Sequence, residues 1–176
     1  MTAPRKVLWH YTPGKRLDAI LRSRVLRVSH LGSRETGEVP AVWFSLRQDW
    51  DPAVGGGTKP SGKERSAFKD KIHDGGVAHA IRWANRAGPE VAARDLGGLA
   101  RIGVPLDVAP HTWDDFVRLG GISRMHAWAR HVIDRELGSN PEDWRLSFVD
   151  VPATKWISVE RRSGTRRGER WEPVAP

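Results

Sequence analysis

The chain has 176 residues, of which 39% are hydrophobic and 28% are charged, values typical of one folded domain with its own core. It has no cysteine, which excludes disulfides and thiolate chemistry, and no apolar run of about 18 residues, which argues against a membrane-spanning helix or a membrane partner. The formal net charge of +8 favours polyanionic partners such as nucleic acid, although free use of arginine would produce the same excess. Without a secretory signal, we expect a cytoplasmic protein.

The first predicted strand covers residues 7–11, a bulky apolar run that places His10 on the opposite face from its two neighbours. Thr12 and Pro13 are typical of a helix start, and apolar residues at helical spacing continue the pattern to residue 26. His10 therefore ends a strand beside a helix N-terminus, where phosphate or ribose oxygens bind favourably. The alternative is a core histidine held by a hydrogen bond.

The remainder of the chain predicts a mixed α+β domain, because helices are inserted between strands without regular βαβ alternation. Residues 49–76 are rich in glycine, proline and lysine and predict a long mobile basic loop. The domain spans residues 1–162, and residues 163–176 form a basic, loosely ordered tail. Further strands are predicted at residues 41–45, 77–83, 99–104, 144–148 and 155–161, and helices at residues 113–119 and 122–137. Thr112 and Asp115, three residues apart, predict a capping box at the start of the helix 113–119.

Neither metal binding nor a phosphate-binding glycine loop is indicated by the residue spacing. His126 and His131 are five residues apart, and His73 and His79 are six apart, whereas two ligands on one helix face need a spacing of three or four. The glycine run at residues 55–57 lacks the spacing of a P-loop. The sequence therefore predicts no metal site.

Two short stretches carry a family resemblance. His-Tyr-Thr at residues 10–12, followed by a helical pattern, and Val-Trp-Phe-Ser at residues 42–45 resemble the opening of ADP-ribosyltransferase-fold proteins. The similarity is greatest to the DarT-like toxins, which modify nucleic acid. It covers residues 7–47, and beyond them only the order of elements matches. It implies an α+β fold with a split, bent β-sheet and helices packed on it.

The resemblance also implies roles for individual residues. A late strand would supply a catalytic glutamate, which matches Glu160, and Arg47 would act beside it. Because Tyr11, next to the histidine, is the single tyrosine of the chain, an aromatic residue of the stretch 42–45 would have to pack on nicotinamide. The alternative for Glu160 is an exposed carboxylate paired with a nearby arginine. The implied NAD-binding positions are His10, Thr12, Trp43, Phe44 and Ser45. The NAD cleft would be lined by the first strand, the strand of Trp43 and the strand of Glu160, with Trp156 and Ser158 on the same strand face as Glu160.

The implied activity is NAD-dependent transfer of ADP-ribose to a base of DNA or RNA, with NAD as a substrate and without a metal. A carboxylate would stabilise the positive charge that develops when the bond between nicotinamide and ribose breaks. The implied setting is that of a toxin or a phage-defence protein, for which an antitoxin or immunity partner is expected. The alternatives are a non-catalytic nucleotide- or nucleic-acid-binding module of the same fold and a protein-targeting ADP-ribosyltransferase.

Basic side chains of the loop and the tail give candidate contacts to a nucleic-acid backbone, where they would act by releasing counterions. The alternative is a solvated surface whose charge is partly cancelled by neighbouring carboxylates. The candidate contacts are Lys59, Lys63, Arg65, Lys69, Arg161 and Arg162.

Overall fold

The computed structural model describes residues 6–29, 39–48, 97–120, 140–162 and 170–175. The α+β class predicted from the sequence is confirmed, since these ranges contain eight strands and two α-helices. The helices are α1 (Gly14–Ser23) and α2 (Trp113–Leu119). The strands are β1 (Val7–Pro13), β2 (Val25–Leu26), β3 (Val42–Ser45), β4 (Leu99–Pro105), β5 (Trp144–Ser147), β6 (Val151–Pro152), β7 (Ser158–Arg162) and β8 (Glu172–Pro173).

A six-stranded sheet with the order β5-β3-β1-β4-β7-β8 forms the centre of the described structure, and β2 pairs with β6 in a separate ribbon. The paired strands are antiparallel throughout. The strand β1 is paired with β4 along its whole length, from Val7 opposite Pro105 to Pro13 opposite Leu99. The first strand is therefore the central strand of the sheet, with neighbours on both sides.

One face of the sheet carries the main hydrophobic core. Directly opposed residues of an antiparallel pair project to the same face, and His10 is opposite Ile102, which in turn is opposite Val159. Helix α1 covers this face and buries Leu17 completely. We call it the core face. Its buried members are Leu8, Leu17, Leu26, Val42, Phe44, Ala100, Ile102, Val104, Ala109, Val151 and Val159.

The other face of the sheet carries polar and aromatic side chains over its middle strands. Tyr11 is opposite Arg101, and Arg101 is opposite Glu160, so these three residues project together. We call this side the polar face. Helix α2 covers one end of it, where Phe116 packs on an aromatic group from β3 and β5. The side chain of Trp43 belongs to that group, with its ring centroid 4.6 Å from that of Phe116.

The two helices follow the sequence prediction to different degrees. The capping box predicted for α2 is present, since the Thr112 hydroxyl accepts from the Asp115 backbone N–H and the Asp115 carboxylate accepts from that of Thr112. The predicted start and end of α1 are wrong. Thr12 lies within β1 and makes no cap, and the helix ends at Ser23 because Arg24 is left-handed with φ of 52°. Residues 25–26 then leave the helix and form β2.

The last part of the chain also differs from the predicted elements. The strand predicted for residues 155–161 begins at Ser158, after a 3₁₀ turn at Ala153–Lys155, and Trp156 packs against the main core instead of lying beside Glu160. Within the tail predicted as loosely ordered, residues 172–173 form β8 and pair with β7. The predicted basic loop 49–76, strand 77–83 and helix 122–137 lie outside the described residues. Neither α1 nor α2 is long and apolar enough to cross a membrane.

Candidate functional site

The polar face holds an ion pair between two cross-strand neighbours. Arg101 Nε donates to Glu160 Oε2 at 2.7 Å, and its Nη2 contacts the same oxygen. The Ser158 hydroxyl donates to the other oxygen, Oε1, at 2.8 Å. The side chains of Arg101 and Glu160 are only 11% and 17% exposed. Because each carboxylate oxygen has its own donor, the orientation of the Glu160 side chain is fixed.

Two indole rings pack on the arginine of this ion pair. The guanidinium carbon of Arg101 lies 3.9 Å from the ring centroid of Trp9 and 4.4 Å from that of Trp171, within the range of cation–π attraction. A side chain on Gly103 would place its Cβ 2.9 Å from the Trp9 ring, so the glycine lets that ring lie close to β4. We define the Glu160 cluster as Trp9, Arg101, Ser158, Glu160 and Trp171.

Arg47, predicted as catalytic, anchors the segment that follows β3. Its Nε donates to Asp143 Oδ2 at 2.8 Å, and its backbone carbonyl accepts from the Tyr11 hydroxyl at 2.7 Å. One residue further, the Gln48 carbonyl accepts from Nη1 of Arg101. In the described part of the chain, Arg47 therefore reaches the cluster through its backbone and its neighbour, while its guanidinium is engaged with Asp143.

His10 lies on the core face, and a backbone carbonyl determines its tautomer. Its Nδ1–H donates to the Trp43 carbonyl at 2.9 Å, which leaves Nε2 with the free lone pair in the neutral ring. The ring packs edge-on against Phe44, with centroids 5.9 Å apart. Burial lowers the pKa of His10 below its ordinary value, and the charge of Arg16 adds to this, while the hydrogen bond to Trp43 opposes it. A neutral, structurally engaged imidazole results.

The predicted NAD-binding residues are divided between the two faces. Thr12, which is almost fully buried, and Phe44 lie on the core face with His10, whereas Trp43 and Ser45 project to the polar face with Trp9. The structure therefore does not bring His10 and Glu160 together, because the sheet lies between them. The expected cleft lined by both residues is corrected to a cluster on the polar face alone.

The predicted nucleic-acid contacts also separate. The loop lysines and Arg65 lie outside the described residues. Arg161 projects to the core face and donates to the Gly14 carbonyl at 3.3 Å. Arg162 is only 3% exposed, and its guanidinium lies 4.5 Å from the ring centroid of Trp171, so it supports the interior of the protein and not a phosphate-binding surface.

Sequence reasoning missed Arg101, Trp9 and Trp171 as partners of Glu160. A usable signal was present for Arg101, since a charged residue inside the apolar run of residues 99–104 is seldom buried without a partner. Nothing in the sequence indicated which carboxylate that partner would be. Among the described residues, no three histidine, aspartate or glutamate side chains lie close enough together to hold a metal ion.

A shallow groove lies apart from the Glu160 cluster, near the 3₁₀ turn Leu106–Val108. Its lining includes Lys6, Asp107 and Arg145. The Arg145 guanidinium donates to the carbonyls of Glu142 and Trp144 at 2.7 and 2.6 Å, so it is held by the protein itself. Because this groove does not include Glu160 or either indole that packs on Arg101, the Glu160 cluster is the better candidate for the chemistry that the resemblance implies.

Comparison of the chain with protein-family models, with curated proteins and with solved structures finds no match. The side chains of the Glu160 cluster, together with the short resemblance at residues 10–12 and 42–45, are therefore the basis for a functional proposal. A carboxylate that is mostly shielded from water can stabilise a positive charge that develops beside it.

Proposed function

We propose that this protein is an NAD-dependent ADP-ribosyltransferase that modifies a nucleic-acid base, with Glu160 as its catalytic carboxylate. The proposal depends on one observation above all, the doubly anchored and largely buried carboxylate of Glu160 on the polar face. NAD and the nucleic-acid acceptor are taken from the resemblance of residues 10–12 and 42–45 to DarT-like proteins. The net charge of +8 favours a polyanionic acceptor.

The reaction requires a group that stabilises positive charge at the ribose. The bond between ribose C1 and the nicotinamide nitrogen breaks, nicotinamide leaves with the bonding electrons as a neutral molecule, and C1 becomes cationic. A nitrogen of the acceptor base then forms a bond to C1 and gives up a proton. Glu160 stabilises the cation electrostatically and accepts that proton, which it passes to water.

The two oxygens of Glu160 are not equivalent, and this difference assigns their roles. Oε2 is held by the charged guanidinium of Arg101, whereas Oε1 is held by the neutral hydroxyl of Ser158. A charge-assisted hydrogen bond is roughly twice as strong as a neutral one. Oε1 is therefore the oxygen that turns to the ribose, while Oε2 keeps the side chain in place.

The set of NAD contacts differs from the one that the resemblance implies. Trp43 and Ser45 share the polar face with Glu160, but β1 and β4 lie between their strand and β7, and Trp43 packs on Phe116 of α2, so neither belongs to the proposed site. His10 and Thr12 lie on the core face, and His10 gives its Nδ1–H to the Trp43 carbonyl. In this proposal His10 joins β1 to β3 and supports the sheet from behind.

A second candidate function is a non-catalytic module that binds a nucleotide or nucleic acid. The ion pair itself favours it, because Arg101 neutralises much of the charge that Glu160 would offer to a cation. Arginine–glutamate pairs of this kind also serve only to satisfy two buried charges within a fold. Under this alternative, loss of Glu160 weakens the fold and leaves no catalytic defect to measure.

The test is transfer of label from NAD that carries the label on its adenylate. Wild-type protein and a Glu160→Gln variant are incubated with single-stranded DNA, duplex DNA, RNA and lysate protein. The matched control is Glu172→Gln, which makes the same change at an exposed carboxylate on the adjacent strand, opposite Arg161 on the other side of the sheet. We expect labelled nucleic acid from wild type and Glu172→Gln, and a loss of about 100-fold or more in Glu160→Gln.

Each other outcome identifies a different function. Label that appears on protein favours the protein-targeting enzyme. If NAD is neither consumed nor able to raise the melting temperature, the enzyme proposal is refuted. Salt-dependent binding of nucleic acid in that case supports the binding module.

A further inference from the structure

Trp171 comes from the C-terminal segment and reaches the centre of the candidate site. The segment pairs with β7, the strand that carries Glu160, through Pro173 opposite Glu160 and a hydrogen bond from the Val174 N–H to the Val159 carbonyl at 2.8 Å. Trp171 is two residues before Pro173, and alternation along the strand brings its side chain to the polar face. A segment predicted to be loosely ordered thus supplies part of the Glu160 cluster.

The Trp171 ring contacts three different side chains on the polar face. Its centroid lies 4.4 Å from the guanidinium carbon of Arg101 and 4.5 Å from that of Arg162. The Tyr11 ring centroid is 6.0 Å away. Contacts to β1, β4 and β7 mean that Trp171 is docked onto the sheet and that its ring shields two cations from water.

The guanidinium of Arg101 is held in two distinct ways. Its N–H groups donate to Glu160 and to the Gln48 carbonyl, and such hydrogen bonds lie in the plane of the guanidinium. The indoles of Trp9 and Trp171 add cation–π contacts, since the guanidinium carbon lies over each ring. Hydrogen bonds alone leave a long arginine side chain free to tilt, whereas packed rings restrict that motion.

The two indoles differ in how firmly the fold holds them. Trp9 belongs to the central strand β1, which is paired on both sides, and is only 6% exposed. Trp171 precedes β8, a two-residue strand at the edge of the sheet. Short edge strands open more readily than central ones. Of the two indole contacts to Arg101, the one made by Trp171 is therefore the more easily lost.

We propose that Trp171 is a positioning residue that packs Arg101 against the sheet and thereby fixes the carboxylate of Glu160. Trp171 then belongs to the functional unit of the protein. The catalytic consequence rests on the proposed function, because it requires Glu160 to act on NAD. The packing of Trp171 on Arg101, which we call the clamp, does not require NAD and can be measured without any substrate.

The first measurement is the exchange with water of the Arg101 Nε–H, followed by ¹⁵N–¹H NMR and assigned by its absence in Arg101→Lys. In wild type we expect a slowly exchanging signal that is shifted by the indole ring currents. Trp171→Leu should speed its exchange about tenfold or more, while Trp171→Phe retains most of the protection. Glu172→Gln, in the same segment, should leave it unchanged. If Trp171→Leu fails to fold, Trp171→Tyr and Trp171→Met provide the same comparison of an aromatic with a flexible side chain.

The second measurement is steady-state transfer of ADP-ribose from NAD. We expect Trp171→Leu to lower kcat about tenfold while KM for NAD changes less than about twofold, because a misplaced carboxylate affects the chemical step more than binding. Trp171→Phe should restore most of kcat, which a general loss of stability would not predict.

The outcomes separate the two proposals. Unchanged exchange of the Arg101 signal in Trp171→Leu overturns the clamp. Faster exchange with an unchanged kcat overturns the positioning role. If wild-type protein does not consume NAD, the proposed function fails, and the exchange data alone still establish or refute the clamp.

Discussion

The two faces of the central sheet give their polar side chains different surroundings. On the core face, His10 is opposite Ile102 and packs on Phe44, gives one N–H to a backbone carbonyl and has its pKa lowered by burial. On the polar face, Glu160 has two side-chain donors, Arg101 and Ser158, beside aromatic rings. His10 on the first face is neutral and structural, whereas the second face keeps an ion pair out of bulk water.

This difference shows why a family resemblance in β1 did not locate the site. Adjacent residues of a strand project to opposite faces, so a motif of three consecutive residues always places side chains on both. Tyr11 shares its face with Glu160, while His10 and Thr12 do not. The pairing of β1 with β4 and of β4 with β7 decided which side chains of β1 share a face with the carboxylate.

The largest loss of stability should come from a substitution on the core face. Ile102→Ala removes a fully buried side chain between the His10 and Val159 positions, and we expect a loss of about 3 kcal/mol in the free energy of unfolding. Ile102→Val should cost about 1 kcal/mol. On the polar face, Ser158→Ala removes one hydrogen bond and should also cost about 1 kcal/mol. Urea unfolding measures all three, and a larger loss for Ser158→Ala than for Ile102→Ala would contradict the assignment of the faces.

A smaller loss of stability should come from breaking the ion pair on the polar face. Arg101→Met leaves the Glu160 carboxylate without its charged donor, and we expect a loss of about 2 kcal/mol, in the range of hydrogen bonds to charged groups. The double variant Arg101→Met/Glu160→Gln should lose less than the sum of the single variants, by about 1 kcal/mol. A double-mutant cycle in urea gives this coupling energy. Strictly additive losses would show that the two side chains act independently.

The smallest effect should be a pH dependence that originates on the core face. Because burial lowers the pKa of His10 in the folded state, the unfolded chain binds its proton more tightly, with a pKa of about 6.5. The stabilisation that comes from keeping His10 neutral is therefore complete above about pH 6.5, and it declines as the pH falls toward the lower pKa of the folded state. His10→Gln should flatten the stability profile in this window, whereas His111→Gln should preserve it. An identical slope in wild type and His10→Gln would refute the prediction.

Several features could be predicted because they depend on neighbours in the chain. The alternation of residues 7–11 placed His10 and Trp9 on opposite faces of a strand, as observed. The Thr112 and Asp115 pair identified the start of α2, since a capping box needs only residues three apart. The sequence prediction missed the end of α1 because Arg24 adopts a left-handed backbone conformation, which is unusual for arginine. Its carbonyl accepts from the Ala153 N–H, a contact that no local pattern contains.

The site depended on pairings that the sequence by itself left open. The sequence determined that Glu160 lies on a strand and that His10 lies on another, since strand periodicity is local. Only the tertiary structure decided that Arg101, 59 residues before Glu160 in the chain, is its cross-strand partner. It also brought Trp171 onto the same pair from a tail that reads as irregular. The physical reason is that a shift of one residue in register moves every side chain of a strand to the other face, and register depends on packing between distant segments.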